Sequence, residues 1–226
     1  MNKKIEMELE EGLPYLKVKY NNGIAGCSKT VSISSFSEAF LKNSSLSTGI
    51  LPIGARFFIG SASQYCIGIE TSPMVRTCNI LSDNKDKIPL PFPPCLFIFF
   101  VKHKRLSESF LFALKSNIFT MGEVLYKFPY GNVHSDGYIC WGDVHVSDLK
   151  SCIEVSSAVH SFFNSEFNSD LFDRNINFKE VKRFCPEWSG DDYSFENTVK
   201  MFSNLNSFPV STLIPLSRNL SDIINK

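Results

Sequence analysis

A chain of 226 residues, 43% of them hydrophobic, can bury a full core without disulfides or a structural metal, which excludes the class of small cysteine-stapled modules. Lysine plus arginine and aspartate plus glutamate both count 23, and this absence of net charge argues against binding nucleic acid or an anionic membrane through a broad basic face. The first ten residues turn acidic where a signal peptide would be apolar, and the longest apolar run, 95–101, is too short to cross a bilayer, so the expectation is a soluble, cytoplasmic protein.

Leu16, Val18 and Tyr20 alternate with Lys17, Lys19 and Asn21, the period of a half-buried strand, and Asn21-Asn22-Gly23 reads as its turn. Ser35 to Glu38 has capping-box form, with Phe36, Ala39 and Phe40 giving a short helix one apolar face. After a Gly/Ser-rich stretch at 44–49, strands are predicted at 55–59, 65–70 and 75–81, joined by short turns at 60–63 and 82–87. Neighbouring strands on short turns point to an antiparallel meander. Pro89, Pro91, Pro93 and Pro94 then exclude a helix or a central strand and predict a stiff, extended connection.

Residues 95–101 read as a buried strand, turning at Lys102–Arg105 into a second strand near 108–114. Residues 116–139 look irregular, and so long a loop within a compact domain is usually functional. Asp148 is expected to cap a helix over 149–163 with one broad apolar stripe. Residues 164–192 read as an extended arm, Ser194 as the cap of a helix burying Phe195, Val199 and Phe202, and 216–226 as a last short helix. No repeat or linker interrupts the chain, so one domain, 1–226, is expected.

The seven cysteines are an odd number without a Cys-x-x-Cys framework, and His103, His134, His145 and His160 are scattered, so neither disulfides, a metal site nor a cofactor is expected. Most of these thiols read as small core hydrophobes. Cys140 has a different context.

Residues 130–141 read Tyr-Gly-Asn-Val-His-Ser-Asp-Gly-Tyr-Ile-Cys-Trp. Ubiquitin-conjugating enzymes carry His-Pro-Asn, four residues, Gly, any residue, Ile or Val, and the catalytic Cys. Asn132, Gly137, Ile139 and Cys140 resemble that pattern without a gap, and Pro91-Phe92-Pro93-Pro94 is similar to the proline stretch before a core strand of the same family. The prokaryotic branch called family D, which includes a component of the PRTRC plasmid systems, is the closer resemblance. It rests on Leu125-Tyr126, on Pro129-Tyr130 with Asn132-Val133, on Ser157 with Phe162-Phe163, Ser165 and Phe167, and on Thr48 to Pro52.

The resemblance implies an α+β, ubiquitin-conjugating-enzyme-like fold: an antiparallel β-meander flanked by helices, with a core at 45–170, a strand/helix extension at 1–44 and a helical extension at 171–226. It implies an acyltransferase that holds a ubiquitin-like protein as a thioester on Cys140. The implied partners are a ThiF-like ubiquitin-activating enzyme, the ubiquitin-like protein and a JAB-type peptidase, with neither nucleic acid nor membrane.

Thioester exchange between thiols occurs at nearly constant bond energy, so the enzyme needs a reachable nucleophile more than a strong base. What remains is the oxyanion formed when an amine attacks, and Asn132, eight residues before the thiol, is the candidate donor. His134 is the candidate proton acceptor, against the plainer reading of a loop histidine bonded to backbone. Tyr130 and Gly131 replace the family's His and Pro: the phenol is expected to supply a hydrogen bond, the glycine to loosen the turn. Asp136 reads as a turn residue beside Gly137, and Trp141 as a core or rim aromatic.

Three rival readings stay open. They are a noncatalytic relative that only binds tails, a cysteine hydrolase pairing Cys140 with His134 or His160, and a structural subunit.

Overall fold

In the computed structural model the described residues are all but 1–3, 10–14, 22–25, 36–49, 62, 82–86, 119, 147, 150, 173–174, 186–193 and 226. They fall into two compact units, 1–47 and 48–226. In the first, β1 (Lys4–Leu9), β2 (Tyr15–Asn21) and β3 (Gly26–Ser32) form an antiparallel sheet in that order. The alternation at 16–20 is thus a strand, with Leu16 and Val18 half-buried and Lys17 exposed. The expected turn residues 22–23 and the expected helix at 36–40 lie outside the described residues.

In the second unit the strands are β4 (Ala55–Gly60), β5 (Gln64–Thr71), β6 (Met74–Ile80), β7 (Lys87–Phe92), β8 (Cys95–Lys102), β9 (Arg105–Ala113), β10 (Val124–Tyr126), β11 (Glu166–Phe167) and β12 (Pro215–Asn219). The helices are α1 (Val155–Asn164), α2 (Phe178–Phe184), α3 (Phe195–Phe202) and α4 (Leu220–Ile224). The class is α+β, as expected. The main sheet is antiparallel in the order β12-β10-β9-β8-β5-β4.

The meander is interrupted: β5 pairs with β8, and the β6–β7 hairpin between them leaves for a second sheet, β11-β6-β7, where β11 lies parallel to β6. The proline stretch is therefore more than a connection. Pro89 and Pro91 sit within a paired strand, which is possible because β7 is the edge of its sheet and owes no donor on its outer side.

The unbroken apolar run in β8 follows from burial on both faces. Phe97, Phe99 and Val101 face a cluster completed by Val159, Phe162 and Phe163 of α1, while Leu96 and Ile98 face a second cluster with Leu220 and Ile223 of α4. The β8–β9 hairpin closes on His103 and Lys104, as the spacing predicts. Further elements differ from expectation: β10 lies within the stretch 116–139 that reads as irregular. Residues 178–184 are helical, 215–219 form a strand before α4, and α1 begins later than predicted, after a 3-10 turn at Cys152–Glu154. Asp148 is not the cap, which falls at Ser151; it faces Arg105 at 3.5 Å, both side chains exposed. Ser194 does cap its helix, accepting from the Asn197 N–H.

Burial pushes the thiols of Cys66 and Cys78 up to about 12 and that of Cys95 higher still. An unfolded chain sheds these protons first, so the stability they contribute is intact below about pH 9 and is lost as pH rises towards 12, at up to about 1.4 kcal/mol per pH unit for each thiol. The expected result is a denaturation midpoint that is flat from pH 7 to 8.5 and falls steadily above 9. A midpoint still flat at pH 11 would mean that these sulfurs reach water in the folded state.

Candidate functional site

Residues 132–140 form a tight hairpin seated on an open stretch of β9. Val133 and Ile139 pair across it and are buried, while their neighbours Tyr138 and Cys140 point to the other side and are exposed. The Cys140 N–H donates to the Asn132 carbonyl at 2.9 Å, and the His134 N–H to the Tyr138 carbonyl at 2.9 Å. The turn closes through the Gly137 N–H on the His134 carbonyl at 2.8 Å, and Asp136 Oδ1 accepts from the Tyr138 N–H, as its place beside glycine predicts.

Because β10 meets β9 only at Ala113, the backbone of 109–111 is free to hold the hairpin. The Leu111 N–H donates to the Gly137 carbonyl at 2.8 Å, and the Ile139 N–H to the Ser109 carbonyl at 3.0 Å. Gly137 has φ +93°, and a Cβ there would lie 2.1 Å from the Phe112 ring, so only glycine fits. Arg218 of β12 clasps the turn from outside through the Asp136 carbonyl at 2.8 Å.

Upstream, Tyr130 is fully buried among Phe92, Phe128, Phe202 and Phe208. Its hydroxyl donates to the Pro91 carbonyl at 2.5 Å, so the expected phenol hydrogen bond is formed and ties the loop to the proline strand. Burial raises the phenol well above its ordinary pKa, which keeps it a donor. Gly131 does not loosen the turn. A Cβ on it would lie 2.0 Å from the Asn168 carbonyl oxygen, so the loop presses against the residues after β11, an approach that only glycine allows.

Asn132 adopts φ +67°, a left-handed conformation that asparagine tolerates well. Its side-chain Nδ2 donates to the Glu166 carbonyl at 2.7 Å and to Ser165 Oγ at 3.2 Å, and the Ser165 hydroxyl donates in turn to the Phe162 carbonyl at 2.6 Å. The amide thus pins the hairpin to the C-terminal end of α1.

Between them lies a cleft of about 390 Å³. Asn132, Cys140 and Trp141–Val144 form one side; Leu81, Ser165, Glu166, Asn168, Asp170 and Leu171 form the other. Three of these are carboxylates, Asp143, Glu166 and Asp170, and none is basic. Trp141 is a rim aromatic, half-buried edge-on to Phe162, with its indole N–H on Ser109 Oγ at 2.8 Å. Two of the three expected site residues, Asn132 and Cys140, therefore share the cleft. His134 lies on the exposed turn against the Tyr138 ring, and His160 on the exposed side of α1; neither lines it.

The far wall was not identified in the sequence. Its one signal is Ser165 and Phe167 in the family resemblance, without the spatial closeness that gives them a role. Among the described residues no group of three His, Cys, Asp or Glu side chains is arranged to hold a metal ion, and no helix is long and apolar enough to cross a membrane. The family model described as prokaryotic E2 family D matches residues 55–216, well over half of the chain. No curated protein and no solved structure gives a significant match.

Proposed function

Because the chain belongs to prokaryotic E2 family D, we propose that Cys140 takes up the C-terminal carboxyl group of a ubiquitin-like protein as a thioester and passes it to an amine. The observation that carries this reading is the position of the thiol: exposed at a cleft, one residue beyond the buried anchor Ile139, on a hairpin held at both strands. In loading, the sulfur of Cys140 attacks the thioester carbonyl presented by the activating enzyme; a new carbon–sulfur bond forms, the old one breaks, and the donor thiol leaves. Two protein surfaces supply proximity, the largest entropic contribution to such a step. In discharge, an amine attacks the same carbonyl, the oxyanion collapses, and Cys140 leaves as a thiolate. The amine's proton passes through solvent to His134, which stands on the exposed turn two residues past Asn132 and outside the cleft lining.

Asn132 is the donor for the oxyanion. To reach it, the amide exchanges its bond to Glu166 or Ser165 for a charge-assisted one, which is the stronger bond. Asn132→Ala also gives up the two bonds that pin the hairpin, so loading is expected to slow, while transfer to amines should slow by about a further 10²–10³, read by single-turnover discharge of the loaded chain to free lysine. Slow loading with normal discharge would contradict the role.

The partners in this reading are a ThiF-like activating enzyme, the ubiquitin-like protein and a JAB-type peptidase, in a cytoplasmic system of the PRTRC kind. Mixing the chain with the first two and ATP should give a heavier band on a nonreducing gel that thiol reductant collapses.

A second reading, a relative that binds tails without chemistry, draws on the engagement of both Asn132 N–H groups in the resting loop. It gives noncovalent co-elution and no reductant-sensitive band.

A further inference from the structure

The β8–β9 hairpin ends in four consecutive exposed residues, Lys102, His103, Lys104 and Arg105. The two central ones have φ +49° and +65°. A two-residue turn with both positions left-handed is the geometry for which Asn-Gly is preferred; His is tolerated at its first position, but β-carbon sterics disfavour Lys at the second. At Lys104 the chain keeps a cationic side chain where conformation alone would select glycine.

The tip is also held rigidly. The His103 N–H donates to the Ser63 carbonyl at 2.7 Å, and the Lys104 carbonyl accepts from the Leu149 N–H at 2.7 Å. Only Arg105 has a carboxylate in reach among the described ion pairs, Asp148 at 3.5 Å.

The second of those bonds sets an upper limit on the tip's distance from the site. Val144 lines the cleft and Leu149 is bonded to the tip, and five residues of chain span at most about 18 Å. The basic tip is therefore at most about 20 Å from the cleft, where the charged lining residues among the described ones, Asp143, Glu166 and Asp170, are all acidic. A protein that puts its C-terminus on Cys140 meets negative charge beside the thiol and positive charge no more than about six extended residues away.

We infer that the Lys102–Arg105 tip docks an acidic segment of the protein being loaded, upstream of its tail, and steers that tail into the cleft. This rests on the thioester reading of Cys140, and the test separates the two. Two synthetic peptides ending in a glycine-rich tail, each with a mercaptoethanesulfonate thioester at the C-terminus, carry six glutamates or six glutamines beginning about seven residues upstream. Cys140 attacks the thioester carbonyl, the carbonyl bond to the small thiol breaks, and that thiol is released, so no activating enzyme is needed. The full chain is used with Cys27→Ser, because Cys27 is the other exposed thiol.

At about 0.01 M salt, where the screening length is about 30 Å, the glutamate peptide should load about tenfold faster than the glutamine peptide. The ratio should fall to about one at 1 M salt. It should also fall severalfold in the double variant His103→Asn, Lys104→Gly, which keeps Lys102 and Arg105 but removes the central charge, supplies the preferred turn residues and so should melt a few degrees higher. If neither peptide loads Cys140, the thioester reading fails. Equal rates for both peptides at low salt, or a ratio unchanged in the turn variant, would overturn the docking role while leaving that reading intact.

Discussion

Cys140→Ala is expected to abolish every reductant-sensitive adduct and to leave the fold unchanged. The thiol is exposed, and the hydrogen bonds that fix its place come from the backbone, Cys140 N–H to Asn132 and Ile139 N–H to Ser109, which alanine keeps. Surface substitutions of this kind usually stay within about 0.5 kcal/mol, so the melting temperature should move by no more than a degree or two. Cys140→Ser should give an adduct that forms slowly and survives thiol reductant, because the bond is then an oxygen ester. The control is Cys27, exposed in the other compact unit: Cys27→Ala should load like the parent. An adduct that persists in Cys140→Ala would place the chemistry on another thiol and end the assignment.

The second large effect is expected from Gly131→Ala, a change of one methyl group. The new carbon would lie 2.0 Å from the Asn168 carbonyl oxygen, an atom of the backbone that no rotamer can move aside. Either the loop or the segment after β11 must shift by about 1 Å. Overpacking of this kind typically costs about 1–3 kcal/mol. The shift also separates Asn132 from Glu166 and displaces the hairpin that carries Cys140, and a misplacement of about 1 Å is worth about 10² in rate. A melt and a single-turnover loading assay should therefore both fall, the second by about a hundredfold. Gly122→Ala is the matched control, since among the described residues its added carbon would touch only Thr120 Oγ1 at 3.8 Å. Equal behaviour of the two variants would mean that the loop is not held against Asn168.

What was legible in the sequence was what is local. The run at 95–101 reads as a buried strand because both of its faces are covered, and Gly137, Ile139 and Cys140 were legible through their resemblance to a family motif, whose turn glycine, inward anchor and outward thiol lie within four residues. The α2 helix buries only Val181 fully and depends on an Asn177 cap, so it leaves little hydrophobic period to find. Residues 215–219 form a strand because β10 offers them an edge, and an edge supplied by residues 124–126 is invisible from 216 onwards. The same holds for the far wall of the cleft. Ser165, Glu166 and Asn168 acquire their roles by meeting Asn132 and Gly131 across more than thirty positions. Asp148 shows the reverse error: a residue of the right type before a helical pattern, with the helix starting too late to use it.

The seating of the hairpin on β9 makes access to the sulfur a question of parity. Side chains along an extended segment alternate, so the ladder that sends Ile139 inward sends the next residue outward. An insertion or deletion of one residue between Gly137 and Cys140 would exchange the two, facing the sulfur into the apolar interior and the isoleucine into water. Two residues would restore the facing but carry the thiol one step along the β9 edge. Length in this short stretch is therefore constrained more tightly than side-chain identity at Tyr138, and chains that vary here should do so by substitution and not by length.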